Sequence, residues 1–295
     1  MRVLVTGAAG QLGRWIVKEL RNREYEIKAL DRKGFPKEPQ FDGVETIYAD
    51  IADPLSVISA AAGCDAIIHT AAYTSPHNAQ PAELMRVNVI GTQNILEAAM
   101  AHGIKKTIIT SSVGALGFSF PKHPCLPDFL PVTIDHPCRP QDIYGLSKLM
   151  NEESALAATR LSGITTIVIR PPYIANLPED LARPWFTHII ARHTDSYHSS
   201  LWSYIDVRDL ARAYRMALES DIEGYNAFHV MADDVWAESD AADLIHRHLP
   251  DCEKHIPSLT GASLYDLKLT EDKIGFKPRL KWRDIQANGF TEADD

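Results

Sequence analysis

A tyrosine, a lysine and a serine have the residue types and the spacing for proton transfer. Tyr144 and Lys148 are four positions apart, so a helix would place the phenol and the ammonium on one face. The pKa of a free tyrosine is about 10, and a nearby ammonium lowers it and makes the phenol a better base. Ser112 ends an apolar segment and can hydrogen-bond the oxygen of a substrate. Because Tyr-x-x-x-Lys also occurs by chance, this interpretation depends on the elements that position the three residues.

A glycine-rich loop, GAAGQLG at residues 7–13, follows the first apolar run directly. Glycines allow a tight turn and a close approach to a pyrophosphate, whose charge the N-terminus of the following helix stabilises. A tight strand-to-helix turn without a ligand would use the same residues, so the loop alone is weak evidence. The residues assigned to the phosphates are Gly7, Gly10, Gln11, Leu12 and Gly13.

Acidic residues at two later strand ends strengthen the dinucleotide interpretation. Asp31 follows the loop by about 20 residues, where a carboxylate can accept hydrogen bonds from a ribose. Asp50 is a similar candidate for the adenine edge. Arg32 and Lys33 can surround a 2′-phosphate, but Asp31 would repel it. NAD is therefore favoured, and NADP is not excluded.

The elements that must position these residues alternate between short β-branched runs and helical patterns. This alternation predicts an α/β protein, a doubly wound parallel sheet of the Rossmann type with helices on both faces. Asp142 is predicted to cap the last of the four helices, and Gly163 to end it. The predicted strands are 2–7, 26–31, 45–50, 66–72, 106–112 and 165–170, and the predicted helices are 12–21, 54–62, 81–102 and 142–161.

The hydrophobic rhythm changes after Arg170. Pro171, Pro172, Pro178 and Pro184 break up a stretch rich in histidine and aromatic residues. A helix is then predicted over 207–218, a strand over 227–232 and a helix over 238–249. We therefore predict a dinucleotide-binding domain over 1–170 and a mainly substrate-binding lobe over 171–295, of which 203–232 returns to pack on the first domain.

Composition excludes several classes of protein. The 295 residues carry a formal net charge of −9, which argues against a general binder of nucleic acids or anionic membranes. No apolar run approaches the roughly 18 residues of a membrane span, and the strand-like start MRVLVTG leads us to expect no signal peptide. The four cysteines lack the spacing of a zinc site or a disulfide framework. We expect a cytoplasmic protein without a metal ion.

Taken together, these motifs resemble the extended short-chain dehydrogenases/reductases, the NAD-dependent epimerase/dehydratase superfamily. The matching segments occur in family order through most of the chain: VTGAAGQLG (5–13), Asp31, ADI (49–51), IIHTAA (67–72), VNVIGTQNILEAA (87–99), TSS (110–112), YGLSK (144–148) and WSYIDVRDLARA (202–213). The resemblance implies that Ser112, Tyr144 and Lys148 are catalytic and that Lys148 also holds the nicotinamide ribose. It implies a homodimer through helices 81–102 and 142–161. It adds as cofactor contacts Ile51, Ala71, Ala72, Asn88, Thr110, Ser111 and Pro171.

Two departures from the family pattern bear on the substrate. Enzymes acting on nucleotide sugars usually carry an asparagine where this chain has Tyr173, and an arginine near residues 198–202, where this chain has none. The chain is more similar to the shorter uronate and aldose dehydrogenases. Candidate substrate residues are Tyr73, Ser112, Tyr173 and Arg183, the last because arginine can pair with a carboxylate.

Three functions are compatible with the sequence. The first is an NAD(P)-dependent oxidoreductase acting on a small sugar or sugar acid, and the second is a nucleotide-sugar epimerase or dehydratase that retains its NAD. The third is a dinucleotide-sensing regulator, although such proteins typically lose the tyrosine or lysine that this chain keeps. His188, His193 and His198 are interpreted as surface or pocket residues rather than as metal ligands.

Overall fold

A seven-stranded parallel sheet forms the centre of the molecule. The computed structural model describes residues 1–123, 125–252 and 263–289, so part of the predicted second lobe lies outside the described residues. The described strands are β1 (Arg2–Thr6), β2 (Glu26–Asp31), β3 (Glu45–Tyr48), β4 (Ala66–His69), β5 (Lys106–Thr110), β6 (Thr165–Arg170), β7 (Tyr173–Ala175), β8 (Tyr204–Asp206) and β9 (Tyr225–His229).

The strand order in the main sheet is β3-β2-β1-β4-β5-β6-β9, and every neighbouring pair is parallel. The order reverses beside β1, which pairs with β2 on one side and β4 on the other. Open sheets of this kind bind ligands at that switch point, beyond the carboxyl ends of the strands. The predicted fold class, a doubly wound parallel sheet with helices on both faces, is confirmed.

Helices cover both faces of the sheet. Buried residues of α1 and α8 pack on one face, and those of α2, α4 and α5 pack on the other. Within the described part of the chain, no helix combines the length and the apolar character needed to cross a membrane. The helices are α1 (Gln11–Arg21), α2 (Pro54–Ala61), α3 (Pro81–Met85), α4 (Gly91–Ala101), α5 (Ile143–Ser162), α6 (Leu177–Leu181), α7 (Pro184–Asp195), α8 (Val207–Glu219), α9 (Ala241–His248), α10 (Lys268–Ile274) and α11 (Trp282–Asn288).

The helix predicted over 81–102 contains a π-helical turn at Arg86–Ile90, between α3 and α4. Such turns insert one extra residue and are frequent at functional sites. The turn includes Asn88, a fully buried residue beneath the cleft. By contrast, α5 has the predicted ends: Asp142 caps it by accepting hydrogen bonds from the amides of Tyr144 and Gly145, and Gly163 ends it with a φ of 74°.

Beyond Arg170, Pro171 and Pro172 separate β6 from β7, whereas the next two prolines begin helices. Pro178 and Pro184 lie in the first turns of α6 and α7, where a missing N–H removes no helical hydrogen bond. The chain then forms β8, which pairs with β7, and β9, which extends the main sheet beside β6. Asp206 caps α8 and also accepts from the amide of Leu177, so the ends of β8 and β7 are held together.

Candidate active site

A long cleft of about 1070 Å³ runs along the carboxyl edge of the sheet. Small-molecule pockets are typically about 300–1,000 Å³, so this cleft can hold a dinucleotide with a small substrate beside it. The predicted cofactor residues that line it are Gly7, Gly10, Gln11, Leu12, Gly13, Asp31, Arg32, Asp50, Ile51, Ala71, Ala72, Thr110, Ser111, Tyr144, Lys148 and Pro171. The predicted substrate residues Tyr73, Ser112 and Tyr173 line it as well.

The loop between β1 and α1 requires glycine at two positions. Gly7 has a φ of 69°, and a Cβ there would lie 2.6 Å from the backbone nitrogen of Ala71. A Cβ on Gly13 would lie 2.1 Å from the carbonyl oxygen of Gly7. The loop therefore packs directly against the end of β4, and the first amides of α1, which lack acceptors within the helix, face the cleft. These donors fit a pyrophosphate.

The carboxylate of Asp31 is positioned by the same loop. One oxygen accepts from the amide of Ala9 at 3.1 Å, and the other accepts from the amide of Lys33 at 2.9 Å. A carboxylate has about four acceptor positions, so two remain for the hydroxyls of a ribose. Asp50 accepts from the amide of Ala52 at 3.0 Å and pairs with Arg86 at 2.8 Å. Both predicted acids therefore lie at one end of the cleft, which we call the adenosine end.

Tyr73 lies at the adenosine end rather than beside the catalytic residues. Its hydroxyl accepts a hydrogen bond from the Arg32 guanidinium at 2.9 Å, and that guanidinium also lies 4.9 Å from the centre of the Tyr73 ring. The assignment of Tyr73 to the substrate is therefore not supported by its position. The sequence offered no signal for this contact, because the two residues are 41 positions apart.

Asn88 does not line the cleft as the resemblance implied. Its side-chain oxygen accepts from the backbone amide of Tyr73 at 2.8 Å, and its side-chain nitrogen donates to the Tyr73 carbonyl at 3.0 Å. The same nitrogen also donates to the Ser147 hydroxyl at 3.1 Å. Asn88 therefore connects the loop after β4 to α5 from beneath the cleft. Its asparagine type has a structural reason that does not require contact with a ligand.

Ser112 and Tyr144 both line the other end of the cleft. The serine oxygen accepts from the amide of Gly114 at 3.0 Å. A Cβ on Gly114 would lie 3.2 Å from both the serine oxygen and the tyrosine ring, so the short turn 113–116 packs tightly against the pair. The two side chains are therefore brought together by α5 and this turn.

The phenol is less acidic than the sequence predicted. Burial raises the pKa of Tyr144 to about 12, against the opposing effect of the hydrogen bond from Ser112. The Lys148 ammonium lies 5.7 Å from the centre of the ring rather than against the hydroxyl. The prediction that this ammonium lowers the phenol pKa was therefore wrong for the protein alone. Desolvation is the larger effect, and at neutral pH the phenol keeps its proton.

Lys148 points back toward the sheet. Its ammonium donates to the carbonyl oxygen of Thr110 at 2.9 Å, and its side chain is almost fully buried. Burial lowers the pKa of Lys148 to about 8, and the nearby Glu152 carboxylate works in the opposite direction. The lysine is thus close to its titration range at physiological pH. Thr110 therefore lines the cleft and also positions Lys148 through its backbone carbonyl.

Glu152 and Arg170 form a buried ion pair that the sequence interpretation missed. Their side chains are 3% and 7% exposed, and the guanidinium donates to both carboxylate oxygens, at 2.9 and 2.6 Å. Glu152 also accepts a hydrogen bond from the Ser111 hydroxyl. The detectable signal was spacing, since Glu152 follows Lys148 by four residues and shares its helix face. The pair connects α5 to the carboxyl ends of β5 and β6.

The wall beyond Tyr144 is polar but uncharged at neutral pH. It consists of Ser119, Phe120, Tyr173, His198, Ser199 and Ser200. Burial and, to a smaller extent, neighbouring His193 lower the pKa of His198 to about 4, so this imidazole is neutral at neutral pH. Ser119 and Phe120 were not predicted, because their loop lacks a periodic pattern.

Arg183 is not part of this wall. Its guanidinium lies 3.8 Å from Asp180 and 4.0 Å from Glu179, and its side chain is 54% exposed. Its position therefore gives no support to the prediction that it binds a substrate carboxylate. These two acidic residues lie one helical turn earlier in the chain, and ion pairing over this distance accounts for the position of the Arg183 side chain. Across residues 1–123, 125–252 and 263–289, no three His, Cys, Asp or Glu side chains group in a way that could hold a metal ion.

Comparison with known proteins identifies the family. The model of the NAD dependent epimerase/dehydratase family matches residues 3–230. The chain belongs to this family. Cinnamoyl-CoA reductase 1 of Petunia hybrida is 28% identical over 272 residues, which are 84% of this chain and 78% of that protein. The uronate dehydrogenase of Agrobacterium fabrum is 31% identical over 189 residues, which are 63% of this chain and 67% of that protein.

A solved structure of similar fold is that of a short-chain dehydrogenase/reductase superfamily protein from Agrobacterium tumefaciens with bound NAD. It has a TM-score of 0.75 and 22% identity, and the alignment covers 98% of this chain and 96% of that one. The predicted family and its cofactor, NAD, are thereby confirmed. The family's chemistry makes the chain an NAD-dependent enzyme of the oxidoreductase and epimerase type.

Proposed function

We propose that this protein transfers a hydride between NAD and a hydroxyl or carbonyl carbon of a small, uncharged, hydroxylated molecule such as a sugar. The observation that carries the proposal is the placement of Ser112 and Tyr144 side by side in the cleft, opposite a wall without charged side chains in the described structure. The relatives named above include a reductase and a dehydrogenase, and this supports net oxidoreduction.

In this proposal each catalytic residue has one task. Tyr144 exchanges a proton with the substrate oxygen, and Ser112 donates a hydrogen bond that orients that oxygen. Lys148 holds a ribose hydroxyl and, being close to its titration range, can relay the proton away from the phenol. When bound, the cofactor accepts or donates the hydride, and its oxidised form adds a positive charge near the phenol.

His198 supplies a directional contact for a neutral substrate. Its Nδ1 atom lies 3.3 Å from the backbone amide of Ser200 and 2.8 Å from the hydroxyl of the same residue. A backbone amide can only donate, so Nδ1 is the acceptor and the proton of the neutral ring is on Nε2. The ring thereby has one remaining donor, and Ser199 and Tyr173 line the same cleft. Such groups suit the hydroxyls of a sugar.

The charge distribution in the cleft argues against a nucleotide diphosphate as part of the substrate. The cationic side chains that line it in the described structure are Arg32 and Lys33 at the adenosine end and Lys148 beneath the catalytic pair. A diphosphate at the opposite end would meet neutral groups, and an unpaired buried charge costs several kcal/mol. We therefore favour an uncharged substrate over a nucleotide sugar, and over a sugar acid because Arg183 is not among the residues that line the cleft.

The test is a spectrophotometric screen with NAD. Neutral sugars and polyols, sugar acids and UDP-sugars are each incubated with the protein, and NADH is followed by its absorbance. We expect turnover with a neutral compound and its loss in Tyr144→Phe. Tyr25→Phe is the matched control, because the Tyr25 hydroxyl bonds Glu219 on the surface, far from the cleft. Conversion of a UDP-sugar without release of NADH would refute the proposal and favour an epimerase.

A further inference from the structure

Arg32 and Tyr73 form a contact across the mouth of the adenosine end. Arg32 follows β2 immediately, and Tyr73 follows β4 by four residues. Because β2 and β4 flank β1, the contact between the two side chains passes over the carboxyl end of β1 and the glycine loop. A hydrogen bond of 2.9 Å and stacking at 4.9 Å join the two residues. Arg32 is thus held toward the β4 side of the cleft.

A second group holds Arg32 on the same side. The Glu83 carboxylate of α3 lies 3.9 Å from its guanidinium and is itself bonded to Arg86. Charged side chains near Arg32 are Glu83 and Arg86 from α3 and the turn after it, Asp50 after β3, and Asp31 and Lys33 from its own segment. Arg32 has a hydroxyl, an aromatic face and a carboxylate as partners on the side away from Asp31.

The position of Arg32 matters because arginine is the residue best suited to a ribose 2′-phosphate. Its guanidinium can donate two parallel hydrogen bonds to a phosphate, whereas Asp31 repels that group. A guanidinium beside Asp31 would offset the repulsion. In the structure it is bonded elsewhere.

We propose that Tyr73 is a specificity-determining residue for the cofactor. By binding the Arg32 guanidinium from across the cleft, it withholds the arginine that follows Asp31 and lines the cleft, and thereby disfavours NADP. Asp31 alone would weaken NADP binding by repulsion. Tyr73 adds to that preference by removing the cation that would counteract it.

The Tyr73 side chain can be replaced without removing the loop's supports. The backbone amide and carbonyl of Tyr73 are both bonded to Asn88, and neither bond involves the phenol. Tyr73→Phe keeps the stacking and removes the hydroxyl, whereas Tyr73→Ala removes both. Arg32→Ala removes the guanidinium, and the double variant lacks both partners.

The experiment titrates NADH and NADPH into each variant by nucleotide fluorescence and compares the ratio of the two Kd values. No substrate is present, so the outcome does not depend on the proposed function. We expect the wild type to bind NADH more tightly. In Tyr73→Ala the preference for NADH should fall about fivefold, and in Tyr73→Phe about twofold, as suits exposed contacts of this strength.

The arginine variants decide whether Arg32 is the cause. Arg32→Ala alone should leave the ratio within twofold of the wild type, because the guanidinium is already withheld. Added to Tyr73→Ala, the Arg32→Ala substitution should restore the wild-type ratio of the two Kd values. Lys33→Ala, added to the same variant, should leave the reduced preference for NADH unchanged. The proposal is overturned if Tyr73→Ala leaves the ratio unchanged, or if Arg32→Ala alone weakens NADPH binding about fivefold, since Arg32 would then already reach the phosphate.

Discussion

Replacing Glu152 by glutamine should destabilise the protein more than any change at an exposed position. The substitution keeps the shape of the side chain and removes its charge. It leaves the Arg170 guanidinium, which is 7% exposed, without its bidentate partner. Removing one member of a buried pair typically costs about 3–5 kcal/mol, because the remaining charge is desolvated and uncompensated. We therefore expect Glu152→Gln to lose about that much free energy of unfolding.

A matched double variant separates the buried charge from the loss of contacts. Replacing both Glu152 and Arg170 by methionine fills a similar volume and leaves no ion behind, so it should be less destabilised than Glu152→Gln. Urea unfolding followed by circular dichroism measures all three proteins. A double variant that loses as much as the single variant, or a single variant that unfolds with the wild type, would refute the reasoning.

The same substitution should act on Lys148, whose pKa Glu152 raises against burial. Without the carboxylate, the pKa of Lys148 falls further below its ordinary value, and the lysine becomes neutral at a lower pH. If Lys148 holds a ribose hydroxyl, NADH affinity in the wild type should weaken as the pH rises through about 8. In Glu152→Gln the weakening should begin at lower pH, and identical profiles would contradict this role.

Three further outcomes follow from the structure. Tyr144→Phe should reduce turnover by roughly 100-fold or more while NADH binding changes little, as steady-state kinetics and titration can show. Burial lowers the pKa of His69 to about 3. Between pH 6.5 and 3 the unfolded chain therefore binds one more proton at this position than the folded chain does. As the pH decreases through this range, the free energy of unfolding should fall by about 1.4 kcal/mol per pH unit. The dependence on pH should be weaker in His69→Gln. Leu146 and Met150 are 40% and 37% exposed on one face of α5. If this face forms the predicted homodimer, replacing both by glutamate should give monomers in analytical ultracentrifugation, and a monomeric wild type would refute the prediction.

The sequence was sufficient for features that depend on local patterns. Buried parallel strands are continuous apolar runs, so β2 and β6 have the predicted ends. The cap at Asp142 was also predictable, because an N-cap is determined by a side chain and the amides two and three residues later. The glycine loop follows β1, Ser112 follows β5, and the Tyr-x-x-x-Lys motif lies in the first turns of α5. Each motif therefore lies at the end of an element, and the position of that end follows from the strand order.

The errors concern groups whose partners lie far along the chain or whose environment decides the outcome. Tyr73 was assigned to the substrate because nothing local indicated that Arg32, 41 positions earlier, would bind it. The phenol pKa was predicted from the charge of Lys148, but burial depends on packing that spacing does not describe. Arg183 was assigned to the substrate by residue type, whereas its acidic neighbours on α6 engage it.

The resting protonation of the site has a consequence for the direction of catalysis. With the pKa of Tyr144 at about 12 in the protein alone, the phenol holds its proton at neutral pH and is ready to donate it to a carbonyl oxygen. Oxidation requires the phenol to accept a proton, so its pKa must first be lowered. Oxidised NAD, bound beside Tyr144 as proposed, would supply a positive charge that lowers this pKa, whereas reduced NAD would bring no such charge. Under the proposed mechanism the proton affinity of Tyr144 would therefore follow the redox state of the bound cofactor, and one phenol could serve both directions without any change in the protein.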